Sequence, residues 1–356
     1  MQTLQGLRVL DLATGLAGRL ASGLLAEFGA EVVRIESKDG VEVSPQFVFA
    51  DHRKLVRCVP ADERPRVAEE ALAGIDICFV DEPNGVPAGA HDGMIVTLTP
   101  PYTGDLTPWA GGGESAELLH AYGGFAAFQA SYSGRPIDLI YPYVTIVHAL
   151  WAATCTVAAL IERESSGHGQ SVEVSGVHAA NIFMRFLYAR EVGIAEPSRA
   201  VGPGGLNPLY TRYRAADGRW VFVGALGPKF IRAALAATGS LHLLDDPRIG
   251  GRLEALWSAN NREWVINHLT EYFAAKPAAD CVDVLEAADV PATILETRES
   301  WFSGTQLGRH RDGSRYRSSR SGSGAHARHP YRLAWNTPEH PGRGDPARRP
   351  RPAGRA

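Results

Sequence analysis

The chain has 356 residues, 45% of them hydrophobic and 21% charged, with a formal net charge of −3. That composition excludes a disordered chain and a disulfide-stapled mini-protein, and the length suits about two domains. The cysteines, Cys58, Cys78, Cys155 and Cys281, stand far apart with no C-x-x-C pair, which argues against a disulfide framework or structural zinc and points to a reducing, cytoplasmic compartment.

No basic segment followed by an apolar one opens the sequence, so no secretory signal is expected. Leu7 to Leu12 (LRVLDL) is an apolar run that predicts a strand, and Ala13 to Gly18 predicts a loop. Leu20, Leu24, Leu25 and Phe28 then share one helical face, which Gly29 closes. Glu31 to Glu36 (EVVRIE) is the next strand. Two such strands joined by a helical crossover pair in parallel, and their unbroken apolar character implies a sheet covered on both faces. The pattern repeats with a helix over Pro65 to Leu72, strands over Ile75 to Val80 and Met94 to Thr99, a helix over Ser115 to Tyr122 and a long helix from near Pro142. These elements predict a doubly wound α/β domain. In the long helix, Val144 to Ile161 is eighteen residues without a formal charge, long enough to span a bilayer. Thr145, His148, Thr154 and Thr156 interrupt its helical stripe, so a buried core helix is expected, with no membrane association.

Ser165 to Gly169 predicts a turn, Gln170 to Ser175 a strand, and a helix follows to about Val192. The Pro/Gly cluster from Glu196 to Asn207 breaks the periodicity. Beyond it come predicted strands (Tyr210 to Arg214, Trp220 to Ala225, Pro291 to Glu296) and helices (Pro228 to Ala237, Arg262 to Ala275, Ala278 to Ala287) of a smaller α+β unit. The expected division is a large domain over 1–195, a small one over 196–303 and a tail over 304–356. From Gly308 onward twelve arginines stand against three acids, a surplus of nine positive charges that leaves the rest of the chain at −12. This Arg/Gly/Pro-rich composition is that of an unordered tail, or of a GC-rich gene read out of frame. Arginines can bind nucleic acid through phosphates, but no recognisable reader fold accompanies them and no nucleic-acid partner is expected.

The strand–loop–helix opening invites a dinucleotide reading, yet Gly15 and Gly18 lack the G-x-G-x-x-G spacing that lets a pyrophosphate approach. There is no G-x-S-x-G elbow, Walker loop or H-E-x-x-H, so the standard hydrolase and NTPase readings lose their main support, and no metal site is expected.

Four groups of residues do recur in a telling order. They are Leu4-Gln5-Gly6-Leu7-Arg8-Val9-Leu10-Asp11-Leu12 with Ala17-Gly18, then Leu25-Ala26-Glu27-Phe28-Gly29-Ala30-Glu31 through Glu36; Ala158 to Glu164 with Gly167-His168-Gly169-Gln170 through Ser175; Asp217-Gly218; and Asp289-Val290-Pro291-Ala292. Over about residues 1 to 303 they resemble the class III CoA-transferases, the CaiB/BaiF family. The resemblance implies a Rossmann-like large domain with a parallel sheet, a smaller α+β domain and an interlocked dimer, either a homodimer or a heterodimer with a related subunit. It also implies acyl-CoA and a carboxylic acid as substrates, with no tightly bound cofactor. In the family an Asp at the start of the long helix attacks the acyl-CoA thioester, forms a mixed anhydride, recaptures CoA as an aspartyl thioester and passes it to the second acid. A helix N-terminus favours the ionised form of such an Asp.

Counted back from Gly169-Gln170, the position of that Asp is Thr145, whose hydroxyl cannot form the anhydride. The nearest acid is Asp138, either returned to the site by a loop insertion or a plain turn or cap residue. The ungapped match of Pro142-Tyr143-Val144-Thr145 favours loss of the nucleophile, which makes a non-catalytic CoA-binding subunit, or a degenerate half supporting an active partner, the alternative to CoA transfer. His148, three residues on, allows a Thr–His acyl-transfer pair, or is a helix histidine satisfied by a neighbour; no third orienting group is visible. The candidates for holding CoA are Gly18 in the early loop and the cations Arg34, Lys38, Arg53 and Lys54, which can pair with its phosphates or stand as solvated surface charges. Gly202, Gly204 and Gly205 match the place of the family's glycine-rich flap, or form a linker. Leu16 stands where the family has a Gln, Arg19 where it has a Pro, and Ser37 where it often has an Arg.

Overall fold

The computed structural model describes residues 3–38, 45–81, 83–102, 115–128, 135–137, 139–188, 207–297 and 300. They fall into two compact units, one of 3–126 with 139–188, the other chiefly 207–297. The expected boundary at 195/196 and the tail over 304–356 lie outside the described residues.

In the first unit β1 (Arg8–Asp11), β2 (Glu31–Ser37), β3 (Leu55–Val59), β4 (Ile77–Val80), β5 (Ile95–Leu98) and β6 (Ser171–Glu173) form one sheet in the order β3-β2-β1-β4-β5-β6. Every neighbouring pair is parallel, as continuous apolar strands separated by helices require. The accompanying helices are α1 (Leu16–Glu27), α2 (Pro45–Asp51), α3 (Arg64–Glu70), α4 (Ala116–Tyr122), α5 (Phe125–Phe128), α6 (Tyr143–Ser166) and α7 (Gly176–Tyr188). Alternation along the strands sends Val9, Ile77, Phe79 and Ile95 to one face, where they meet Ala21 and Leu25 of α1 and Ala149, Ala152 and Ala159 of α6. Leu10, Cys78, Val80, Val96 and Leu98 point the other way and meet Ala68 of α3 and Leu72 just beyond it. Each Val, Leu or Ile so buried stabilises the fold by ~1.5–3 kcal/mol.

Alanines on its inward face let α6 pack closely along α1, and the helix ends where Gly167, at φ +79°, turns its amide back to the Arg163 carbonyl at 2.8 Å. By length and composition α6 could cross a membrane, but one face is buried on the sheet and α1. The opposite face exposes Tyr143, Leu150, Trp151 and Ile161. Three elements lie outside the sequence expectation: the single turn α5, and two others. β3 is a half-buried edge strand with charged Arg57 at its centre, and α2 is a short helix whose Asp51 is tied to the sheet by ion pairs, so neither carries a clear apolar period.

The second unit is an antiparallel sheet of β7 (Tyr210–Arg214), β8 (Trp220–Gly224) and β9 (Ala292–Ile294), with α8 (Pro228–Ala237), α9 (Arg262–Ala274) and α10 (Ala278–Ala287). Tyr213 stacks on Phe273 with ring centres 4.6 Å apart and donates its hydroxyl to the Pro208 carbonyl at 2.5 Å. The motif residues here have structural work. Gly218 turns β7 into β8 at φ +81°, and Asp217 accepts from the Arg219 and Ala278 amides, both at 3.1 Å, which caps α10.

Candidate functional site

In a parallel sheet of this order, ligands bind beyond the carboxyl ends of the strands, at the crevice between β1 and β4 where the strand order reverses. Here the loop after β1 is tied to the residue that follows β4. The amide and hydroxyl of Thr14 both donate to Asp81 Oδ2 at 2.6 Å, and the Gly15 amide faces the same carboxylate at 3.4 Å. A carboxylate just past β4 thus accepts from the β1–α1 turn. Gly18, a candidate for CoA contact, is buried in α1; a Cβ there would run into the Ala13 side chain and come 2.7 Å from Thr99 Oγ1. Asp81→Ala is expected to lower the unfolding free energy by about 1 kcal/mol, as for a lost cap, seen as a fall of a few degrees in Tm.

Arg34 and Lys54, expected at the surface as phosphate partners or solvated charges, lie inside the fold. Arg34 sits 2.9 Å from Asp11 and 2.6 Å from Glu36, and Lys54 sits 2.9 Å from both Asp11 and Asp51. Arg19 joins them, paired with Glu36 and with Asp51 at 3.3 Å, its guanidinium 4.0 Å above the Phe47 ring. Three cations therefore meet three carboxylates, and the Arg34 and Lys54 side chains are wholly enclosed. A phosphate would have to displace a carboxylate to reach either. Burial alone pushes the Asp11 carboxyl up, but Arg34 and Lys54 outweigh it and hold it well below the usual carboxylate range. Burial opposes the Arg34 charge too, and the surrounding carboxylates, Asp11 first, more than offset it. For Arg19 burial and the neighbouring Arg34 prevail, and its pKa is lowered. Of the other candidate cations, Lys38 is exposed at the end of β2, and Arg53 pairs with Glu27 at 2.7 Å. Asp138, Gly202, Gly204 and Gly205 lie outside the described residues.

The N-terminal mouth of α6 is built by α4, α5 and the junction of β6 with α7. Ser115 caps α4 by accepting from the Leu118 amide at 3.2 Å. That helix presents His120, whose Nε2 accepts from the Val144 amide at 3.5 Å. Phe125 stands between His120, Tyr143 and Phe183, with ring centres 5.1–5.8 Å apart. Within this wall Thr145 is 1% exposed and its hydroxyl has no hydrogen-bond partner among the described residues. His148 is fully buried, and its Nε2–H donates to the Val174 carbonyl at 2.5 Å. Burial lowers its pKa to about 4, only partly offset by that bond, so the ring is neutral at pH 7. A carbonyl can only accept, so Nε2 carries the ring hydrogen and Nδ1 keeps a bare lone pair, which has no partner among the described residues. No hydrogen bond joins Thr145 to His148, and among the described residues no carboxylate bonds to either.

The mouth thus offers a hydroxyl, an acceptor nitrogen and the positive end of a 24-residue helix. Sequence reasoning found Thr145 and His148, and missed His120 and the third group. That group is the main-chain carbonyl of Val174, which no side-chain identity advertises.

The profile of CoA-transferase family III matches residues 4–53 and 101–348, beyond the span over which motifs are legible by eye. Alpha-methylacyl-CoA racemase of Mus musculus is 26% identical over 310 residues, covering 83% of this chain and 78% of the racemase. The probable CoA-transferase Rv1866 of Mycobacterium tuberculosis is 24% identical over 331 residues, covering 82% of this chain and 41% of that protein. The crystal structure of a CaiB/BaiF family protein from Brucella suis superposes with a TM-score of 0.69 at 18% identity, covering 86% of this chain and 87% of that one. With the profile matching most of the sequence and the six-stranded parallel sheet plus small antiparallel sheet sharing the architecture of such a structure, this chain belongs to CoA-transferase family III.

Proposed function

We propose that this chain binds CoA thioesters and has lost CoA transfer through an aspartyl thioester. One observation carries the reading. Thr145, on which motif spacing puts the family's nucleophile position, is buried in the mouth of α6 with neither a hydrogen-bond partner nor a bonded carboxylate among the described residues. A hydroxyl cannot form the mixed anhydride on which aspartyl transfer depends, and an ester would be a poor acyl donor onward.

The uncovered apolar face of α6, with Leu150, Trp151 and Ile161 exposed, supports a role beside a second subunit, either a copy of this chain or an active relative. The separate, unbonded cysteines support a cytoplasmic setting.

Intact-protein mass spectrometry after mixing with acyl-CoA tests this reading. The unaltered chain is expected to show no covalent CoA, whereas Thr145→Asp, which returns a carboxylate to the helix mouth, is expected to gain an enzyme–CoA thioester. A CoA adduct mapped to Asp138 in the unaltered chain would overturn it.

A further inference from the structure

We propose that Thr145 and His148 hold a water molecule at the N-terminal mouth of α6, and that this water hydrolyses bound acyl-CoA to CoA and the free acid. The proposal rests on the acyl-CoA binding argued above. Thr145 Oγ1 and His148 Nδ1 are both buried, both without a partner among the described residues, and three residues apart on one helix face. Side chains so spaced have Cβ atoms roughly 5–6 Å apart, near enough for one water to hydrogen-bond to the polar atoms of both. Leaving both atoms dry is unfavourable, whereas a buried water with polar partners is an ordinary part of a fold.

The arrangement gives each group a task. Nδ1 is the bare nitrogen and accepts a proton from the water, the Thr145 hydroxyl orients that water, and the Val174 carbonyl fixes the ring through Nε2–H. The helix N-terminus lies where the thioester oxygen gains negative charge. Ile140 is fully exposed and Tyr141 and Tyr143 about half so, which brings solvent within one turn of Thr145. In the step itself the water oxygen bonds to the thioester carbonyl carbon as one water proton passes to Nδ1. The tetrahedral intermediate then expels CoA by breaking the C–S bond, and the thiolate takes the proton back from Nδ1. The products are CoA thiol and a carboxylic acid, which ionises to the carboxylate. With a threonine at position 145, no carboxylate there competes with the water for the acyl group.

The test uses the full chain with succinyl-CoA and with a 2-methyl-branched acyl-CoA, without an acceptor acid, following thiol release by a thiol-reactive chromophore. Steady release is expected. His148→Gln should slow it about 100-fold, because the Gln amide can still donate to Val174 while offering no basic nitrogen. Thr145→Val, which keeps the side-chain shape, should slow it about tenfold. Both variants are expected to keep their melting temperature and their affinity for CoA by calorimetry. Absence of thiol release from a chain that binds CoA would overturn the proposal, as would release unchanged in both variants, an acyl ester on Thr145 trapped in a single turnover, or a new acyl-CoA formed when an acceptor acid is added. Failure to bind CoA at all would instead overturn the proposed function, and this inference with it.

Discussion

Asp11→Asn is expected to destabilise the first unit by about 3–5 kcal/mol, the cost typical of removing one partner from a buried ion pair. The side chain keeps its shape, so packing is not the cause. Asp11 faces both Arg34 at 2.9 Å and Lys54 at 2.9 Å, and also accepts from Ser22 Oγ at 2.7 Å and the Ala13 amide at 3.1 Å. Without its charge the cluster would hold three buried cations against Glu36 and Asp51, an imbalance water cannot screen there. Hydrogen exchange should locate the effect, with protection lost in β1 and β2 and retained in β7 and β8. The pH dependence has a definite sign. The Asp11 carboxyl is held well below its unfolded value of about 3.9, so its contribution is present above about pH 4 and lost as the pH falls through the folded value. The gap between the two proteins should therefore narrow in acid, and a gap that stays constant there would assign the cost to something other than the charge.

That cluster also marks where the sequence stops being legible. β1, β2, β4 and β5 are plain in it because strands buried on both faces must be apolar runs, and the helices of the second unit are plain because their amphipathic stripes close at Gly or Pro. Asp11, Arg19, Arg34, Glu36, Asp51 and Lys54 are scattered over four elements and their connecting turns, and each alone reads as an ordinary surface charge. Only the parallel pairing of β1 with β2 and the position of α2 bring them together, and with that the surface role expected for Arg34 and Lys54 gives way. Asp81 is hidden for the same reason, since it lies sixty-odd residues from the Thr14 amide it caps. The helix mouth was half legible. Motif spacing finds Thr145 and helical spacing finds His148, but the group that fixes the imidazole is a backbone carbonyl delivered by β6.

Gly169→Ala is expected to cost about 3 kcal/mol, at the upper end of overpacking penalties, because the new Cβ would meet backbone rather than a side chain that can swing aside. It would run into the Met94 carbonyl oxygen and lie 2.6 Å from that residue's nitrogen and carbonyl carbon. Gly169 also donates to the Asp92 carbonyl at 2.6 Å, and Val96 donates to the Gln170 carbonyl at 2.9 Å, so the connection from α6 to β6 is fixed at this point. Relief would require that connection to move away from β5. Val174, whose carbonyl holds His148, lies just past β6, so the displacement should reach the helix mouth as well as the sheet edge. Gly167→Ala in the same turn separates crowding from backbone conformation. Gly167 has φ +79° and open space around its Cβ position, so alanine there meets only the left-handed backbone penalty of about 1–2 kcal/mol. Urea unfolding of the two variants should rank Gly169→Ala as the more damaging, with thiol release impaired in it and near normal in Gly167→Ala. The reverse order would mean that the turn is set by its dihedral angles and that the contact with Met94 yields at little cost.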